Sequence, residues 1–573
     1  MAGIRSFILP GRRSRQPMNS SSPCDDDHKS VGVLSPLRIS IYRRIWAASL
    51  LTNFGMLVLG VGAAWIMTQL TARPSMVALV QTALMLPLML LAIPAGALAD
   101  MYDRRIIALT GLCFSAATST ILCLLTWYGL LTPAVVLVFC FLVGCGMALY
   151  GPAWQSSVAE QVPIQSLPQA IALNSISYNI ARCFGPALGG FLVAICGAIG
   201  AFISLALLYI PLMIVLARWK RVQIPLRLPP ERVDRAVVSG IRYILHSPSI
   251  RIVLIRCFVV GVIGGSVLAL LPLTARNSLA GGPETYGLLL GAFGLGAVGG
   301  AILVPRARKH FSGESATRWC CIILGISMVG IGFSRLAILS AFFLLVAGAM
   351  WMLNMALYNI GMQTSAPRWI AGRLLAAYQS SVNGGLAIGS WWWGAVAQQQ
   401  SISIAMYASG GMMILSPLIG LRFRIPDPST AVDEGLDAIP DPKVSLALTP
   451  RSGPIIIEIE YHIAPHHARQ FYRVMQKVQQ VRKRNGAHDW CIARDVSDSL
   501  LWTERFRCPT WLDYLRMRGR STQAERDTHA LARRYHSGPA PVQVRRMLER
   551  PFGSVRWNVE AVDIGGDDVL PLD

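Results

Sequence analysis

The segment Gly96-Ala97-Leu98-Ala99-Asp100-Met101-Tyr102-Asp103-Arg104-Arg105 sets carboxylates beside paired guanidiniums where an apolar run ends. A carboxylate there can pair with a base or face a helix N-terminus, where it is favoured by roughly 0.3–1 kcal/mol. Such a bond can hold in one state of a gate and break in the other. Gly96 lets a second helix come close. A second constellation is Asn174, Tyr178, Asn179 and Arg182, followed by Gly185-Pro186-x-x-Gly189-Gly190. Pro186 lacks an amide proton, so it frees the carbonyl of Arg182 four residues earlier and bends the helix at a polar spot. Arg182 lies midway along an apolar run, where insertion costs about 2.5–3.5 kcal/mol. It must face a cavity or a partner, either Glu160 or backbone carbonyls.

Further polar and aromatic side chains sit inside apolar runs: Asn53, Trp65 and Gln69; Trp154; Asn354, Tyr358 and Asn359; Gln379 and Asn383, with the cluster Trp391 to Trp393. Two readings stay open for each, contact with a substrate or a hydrogen bond between helices, and for the tryptophans an interfacial belt. Carboxylates are scarce within the runs, with Asp100, Glu160 and Glu284 near their ends. The acid that a proton-coupled carrier needs is therefore not evident at mid-depth. No Gly-x4-Gly-Lys-[Ser/Thr] loop is present, which argues against direct use of ATP. The 12 cysteines mostly lie in apolar stretches without metal-ligand spacing. Neither metal nor other cofactor is expected.

The elements that must position these residues are membrane helices. Of 573 residues, 53% are hydrophobic and 14% charged, against about a quarter charged in soluble domains. The net charge of +22 would suit nucleic acid, but the bases fall in short loops between apolar runs, so lipid is the expected partner and nucleic acid is not. Runs long enough to span a bilayer lie near 45–70, 75–98, 106–127, 133–155, 168–196 and 198–218, then 252–274, 284–305, 318–338, 340–363, 372–398 and 402–422. That predicts twelve helices in two groups of six. Arg43 and Arg44, Arg104 and Arg105, the run Arg218 to Arg251, Arg306 to Lys309, Arg368 with Arg373, and Arg422 with Arg424 mark alternate loops. Both termini and the central loop are expected to be cytoplasmic. Tyr150-x4-Gln155-Ser-Ser and Tyr358-x4-Gln363-Thr-Ser recur at corresponding places in the two halves, as internal repeats of transporters do.

The chain divides into a polar tail 1–37, helical halves 38–218 and 252–424 around a central loop 219–251, a Pro- and acid-rich linker 425–453, a soluble domain 454–562 and a tail 563–573. The soluble domain alternates as a strand over 455–463, then reads as helix 465–484, strands 488–496 and 499–507, helices 509–518 and 521–536, and a strand near 541–550. The order β-α-β-β-α-β predicts a ferredoxin-like α+β fold. His462, His466, His467 and His488 are scattered, and read as surface residues.

The segment 96–105 resembles the signature of the major facilitator superfamily in its Gly, Leu, Asp and paired basic positions, with Met101 in place of a base and Asp103 in place of Gly. The resemblance implies that Gly96, Asp100, Arg104 and Arg105 form a gating latch. Gly185-Pro186-x-x-Gly189-Gly190 resembles the fifth-helix motif of drug and proton antiporters, which brings Asn179 and Arg182 with it. The stretch from Gly151 through Gln161-Val-Pro163, Gln169 to Ile176 and Asn179-Ile-Ala-Arg182 is similar to the transmembrane secretion effector branch, which includes enterobactin-type exporters and macrolide efflux proteins. The likeness spans about residues 34–562. It implies a carrier, not an enzyme, that exports a small organic molecule by alternating access driven by the proton motive force, in the inner membrane of a bacterium. By the same resemblance Asn53, Trp154, Asn354 and Tyr358 face the cavity, with Asn174, Tyr178 and Asn383 as further candidates. The tail resembles dimeric α+β barrel domains of the antibiotic-biosynthesis monooxygenase type, which implies dimerisation or regulation. A membrane-tethered enzyme and an importer are the alternatives.

Overall fold

The computed structural model describes residues 34–163, 166–219, 233–364, 367, 370–424, 442, 444–446, 448–519 and 522–549. Most of both terminal tails, most of the linker and the Arg-rich stretch 220–232 lie outside these residues. The helical part runs α1 (Ser40–Leu70), α2 (Pro74–Met101), α3 (Arg104–Trp127), α4 (Pro133–Ser157), α5 (Leu167–Arg218), α6 (Val233–Leu245), α7 (Pro248–Leu273), α8 (Pro283–His310), α9 (Gly313–Phe333), α10 (Ala337–Thr364), α11 (Ala371–Gln399), α12 (Ile402–Leu415) and α13 (Ile419–Arg422). Among the described residues, ten helices are long and apolar enough to cross a membrane.

Two features separate ten from the twelve spans expected. The runs 168–196 and 198–218 form one element, α5, interrupted only at Gly197, which takes φ +64°. Glycine adopts that conformation without a Cβ clash. Contacts with α1 show that the chain reverses there. Gly185 and Gly189 meet Leu57 and Val58, ascending together, while Ala201 and Leu205 meet Gly62 and Gly55, running the other way. The second is α11, which forms as a helix of 29 residues but is not among the ten. Arg373, Gln379, Asn383 and Gln398 dilute its hydropathy.

Helix starts follow local chemistry. Pro stands in the first turn of α2, α4, α5, α7 and α8, where its missing donor costs nothing. Asp103, which departs from the superfamily glycine, caps α3 by accepting from the Arg105 amide at 2.9 Å. The helices form two groups. In one, α1 packs on α5 and α4 on α2 and α3; in the other, α7 packs on α11, α8 on α10 and α9 on α10 and α12. Arg104 and Arg105 reach the ends of α4 and α5, so the bases gather at one end of the bundle, here termed the basic end.

The C-terminal domain consists of β1 (Ile455–His462), α14 (Ala468–Arg484), β2 (His488–Arg494), β3 (Leu501–Cys508), α15 (Trp511–Gly519), α16 (Gln523–Arg534) and β4 (Gln543–Leu548). Its sheet has order β2-β3-β1-β4 with every pairing antiparallel. Ile455, Ile457, Ile459 and Tyr461 of β1 turn inward onto Phe471, Met475 and Val478 of α14, the period-two and helical patterns meeting in one core. Glu504 is fully buried and takes donors from Arg482 Nε, Trp490 Nε1 and Tyr461 Oη at 3.0, 3.0 and 3.3 Å.

Burial, then the charges of Arg482 and Arg533, push the His529 imidazole down to about 3. The folded domain thus keeps this ring neutral, whereas the unfolded chain protonates it near the ordinary 6.5. Stability from this group is intact above that value and falls as pH drops from about 6.5 towards 3, by at most about 1.4 kcal/mol per pH unit. Protection factors in β1 and α14 of the full chain, with exchange corrected for its intrinsic pH dependence, are expected to fall between pH 7.5 and 5.5, and less so in His529→Phe.

Candidate functional site

At the basic end, Arg104 opens α3 and its guanidinium donates to Glu160 Oε1 at 3.0 Å, to the Ser156 carbonyl at 2.9 Å and to the Ala99 carbonyl at 3.2 Å. One side chain so ties the ends of α2 and α4 to the start of α3. Arg105 reaches the Ala217 carbonyl at 2.5 Å, adding the end of α5. The side chain of Asp100, the proposed latch acid, lies outside the described residues. Glu160, offered by the sequence as a partner of Arg182, is the partner of Arg104 instead. Glu160→Gln is expected to destabilise the protein by about 1 kcal/mol, and Arg104→Gln, which also gives up two carbonyls, by more. Thermal unfolding in detergent reads the difference.

The two helix groups meet along two seams. On one, α5 faces α8: a Cβ at Gly190 would lie 2.6 Å from the Pro283 carbonyl oxygen and 2.9 Å from Gly287 Cα, and one at Gly287 would lie 2.6 Å from the Pro186 oxygen. Gly291 and Gly294 continue the approach, onto the backbones of Cys183 and Arg182. Arg182 stands over the Phe293 ring at 5.6 Å, so its charge meets an aromatic face of the other group. On the second seam, α2 faces α11. Thr82 donates to the Ala387 carbonyl at 2.8 Å, Ser75 donates to the side-chain carbonyl of Gln398, and a Cβ at Gly394 would lie 2.5 Å from Ala78 Cβ. Trp65 of α1 stacks on Tyr286 of α8 with centroids 6.4 Å apart.

These contacts all fall in the half of each helix away from the basic end. Towards the basic end, a Cβ at Gly96 of α2 or Gly372 of α11 would meet nothing within 4 Å. Gly185-Pro186-x-x-Gly189-Gly190 thus serves both sides of its helix. Gly185 and Gly189 admit α1, and Gly190 admits α8. The facing glycines of α8 were missed from sequence, although Gly287, Gly291 and Gly294 follow the small-residue spacing that permits close packing.

The polar residues within spans divide by surroundings. Asn53 donates to the Ser177 hydroxyl at 3.4 Å, and Asn174 accepts from Tyr42 at 3.3 Å, both tying α1 to α5. Asn179 donates to its own helix at the Ser175 carbonyl, 2.9 Å. Asn354 is wholly buried and donates to Cys321 Sγ at 3.4 Å; Tyr358, also buried, lies under the Arg256 guanidinium at 5.8 Å. Trp154 stacks on Tyr150. Tyr178 is exposed and Asn383 half-buried beside Gly384, whose Cβ position is 2.7 Å from Met89 Sδ across the second seam. The structure therefore brings Arg182 to a seam, sets Asn383 next to a seam glycine, and places Asn354 and Tyr358 inside one group of helices.

Sequence reasoning also missed the pair formed by Arg256 of α7 and Glu314 of α9, Nη1 to Oε2 at 2.5 Å. Arg256 is only 4% exposed and donates as well to the Phe423 carbonyl at 3.2 Å. Glu314 also takes Arg318 Nε at 3.1 Å. Arg256 lies just beyond a run of loop arginines, which hid it, yet an arginine two turns inside a span demands a partner.

Two groups of helices clamped on glycine seams around polar side chains, followed by a C-terminal α+β domain, form the setting for the family comparison. The family described as transmembrane secretion effector matches residues 31–552. The chain belongs to that family. Its relatives are major facilitator transporters, not enzymes. One, the staphyloferrin A transporter of Staphylococcus aureus, is 24% identical over 298 residues, covering 51% of this chain and 74% of the relative. Another, the multidrug efflux pump Tap of Mycolicibacterium fortuitum, is 25% identical over 350 residues, covering 58% and 83%. Among solved structures, a D-xylose-proton symporter superposes with TM-score 0.54 at 14% identity, covering 69% of this chain and 99% of that one. That likeness shows the fold. The protein is a multi-pass membrane transporter of this family, and transporters of this kind handle small-molecule substrates.

Proposed function

We propose that the chain is a secondary active carrier that exports a small organic molecule, a siderophore, drug or related metabolite, by alternating access, as a proton-driven antiporter of the bacterial inner membrane. The observation that supports it most is the asymmetry of the seams. Both are locked by close approach in one half of the bundle, and the glycines Gly96 and Gly372 of the second seam stand clear in the other. A carrier caught facing one side of the membrane has this form. With the bases placed by the positive-inside rule, the parted side is the cytoplasm, and both termini lie there. We count twelve crossings, taking the two antiparallel arms of α5 separately and adding α11. The C-terminal sheet order and β-α-β-β-α-β succession fit a ferredoxin-like domain.

In this reading Gly96, Asp100, Arg104 and Arg105 work the cytoplasmic latch. Substrate meets Arg182, Asn383, Tyr178, Trp154 and Asn53 in the cavity between the groups. Asn174, Asn354 and Tyr358 hold helices in the conformation seen here, Asn179 is bonded within its own helix, and all four reach substrate only after a rearrangement. Lipid covers exposed apolar residues such as Ile338 and Phe342. The relatives that carry staphyloferrin A or drugs supply the substrate classes. The test is intracellular accumulation in a strain lacking the transporter. At least one compound from a panel of siderophores and macrolides should rise and return to normal on complementation; a panel that stays level would count against export.

A further inference from the structure

We propose that α6 is a strap through which the C-terminal domain holds the two helix groups parted at the basic end. The inference rests on the alternating-access reading above and adds a regulator to it. Among the described residues of α6, one broad face meets both α11 and the C-terminal domain, and the opposite face is exposed. Ser239 and Gly240 turn to α11: Arg373 Nη1 donates to the Ser239 hydroxyl at 2.7 Å, and a Cβ at Gly240 would lie 3.5 Å from Arg373 Cδ. Val238, Ile241 and Leu245 are about half exposed and share one stripe at spacings of three and four. Arg242 and Tyr243 turn to the C-terminal domain. The Arg484 guanidinium sits 5.3 Å over the Tyr243 ring, and Arg242 Nη1 lies 3.1 Å from the Cβ position of Gly486.

Each face has a consequence. Besides α11 and α7 of the second group, α6 packs on α2 of the first, so it touches both sides of the parted end. Its apolar stripe, two residues before a membrane helix opens at Pro248, suits the lipid interface and keeps the strap at the membrane surface. On the domain side, Arg484 is itself held by Glu525, which completes the capping box of α16 with Thr522. The contact is therefore anchored in the folded domain and not in a loose chain end. Relative motion of α2 and α11 must disturb α6, and a contact made in this conformation favours this conformation. His488, next to the interface, is held below its ordinary pKa by burial and then by Arg242, against the opposing pull of Asp489 and Asp513.

The test uses the full chain in inverted membrane vesicles. The cytoplasmic opening is read by an impermeant maleimide at Gly372→Cys, quantified at that position by mass spectrometry. Docking is read by hydrogen exchange at residues 484–488. Tyr243→Ala removes the ring under Arg484 and is expected to lower labelling about threefold, as loss of a cation–π contact of ordinary strength implies, while exchange at 484–488 rises. Tyr243→Phe keeps the ring and should leave both unchanged. Raised exchange with unchanged labelling would overturn the strap while leaving the carrier intact. Unchanged exchange would overturn the docking itself. If Gly190→Val, which acts on the far seam, also left labelling unchanged, alternating access would fail and take the strap with it.

Discussion

Gly190→Val is expected to suppress transport by about 5- to 150-fold while the protein still inserts and folds. The new Cβ would lie 2.6 Å from the Pro283 oxygen, 2.9 Å from Gly287 Cα and 3.2 Å from Gly287 N. These are backbone atoms of α8, so no side chain can rotate out of the way. Overpacking of this kind costs about 1–3 kcal/mol. The penalty is specific to the conformation in which α5 and α8 touch, so it shifts the population towards the state with that seam parted. Labelling of Gly372→Cys from the basic side should fall in parallel. Gly299→Val is the control: its Cβ would meet nothing within 4 Å, and little change is expected. A Gly190→Val protein with wild-type flux would remove the seam from the mechanism.

Glu314→Ala is expected to destabilise the second helix group by about 3–5 kcal/mol, because among the described residues it leaves the buried Arg256 charge to the Phe423 carbonyl and the Tyr358 face. Thermal unfolding in detergent, followed by tryptophan fluorescence, should show a lowered midpoint. The double substitution Arg256→Met with Glu314→Leu removes both charges and is expected to recover most of the loss, since a buried pair replaced by apolar residues of similar volume is often neutral. A single variant as stable as the parent would mean that Arg256 finds other partners. A double variant as unstable as the single would mean that the site needs its shape more than its charge balance.

The sequence made visible whatever depends on composition over a long window or on rigid local rules. Spans, the two-group order and the β-α-β-β-α-β domain emerged because apolar length, helical period and strand alternation are properties of contiguous residues. The Tyr-x4-Gln repeat at the ends of α4 and α10 was legible for the same reason. What stayed hidden depends on pairs far apart in the chain. Glu160 was offered to Arg182, but it lies 56 residues from Arg104 and is bound there. Arg256 and Glu314 are 58 residues apart, and neither announces the other. Asn354 and Tyr358 shared the polar-in-span signal with Arg182 and Asn383. Only packing separates a side chain bonded inside one helix group from one that reaches a seam. The contacts of α6 were equally invisible, because a short amphipathic helix between two halves looks like a linker until its polar face finds neighbours.

The most direct test of export by alternating access is uptake of a labelled siderophore or macrolide, chosen from those that accumulate in the deletion strain, into inverted vesicles energised by respiration. The expected result is uptake that requires the protein, collapses with a protonophore and is lost in Gly190→Val. Uptake that is identical with and without the protein across the panel, or that persists undiminished in Gly190→Val, would contradict it.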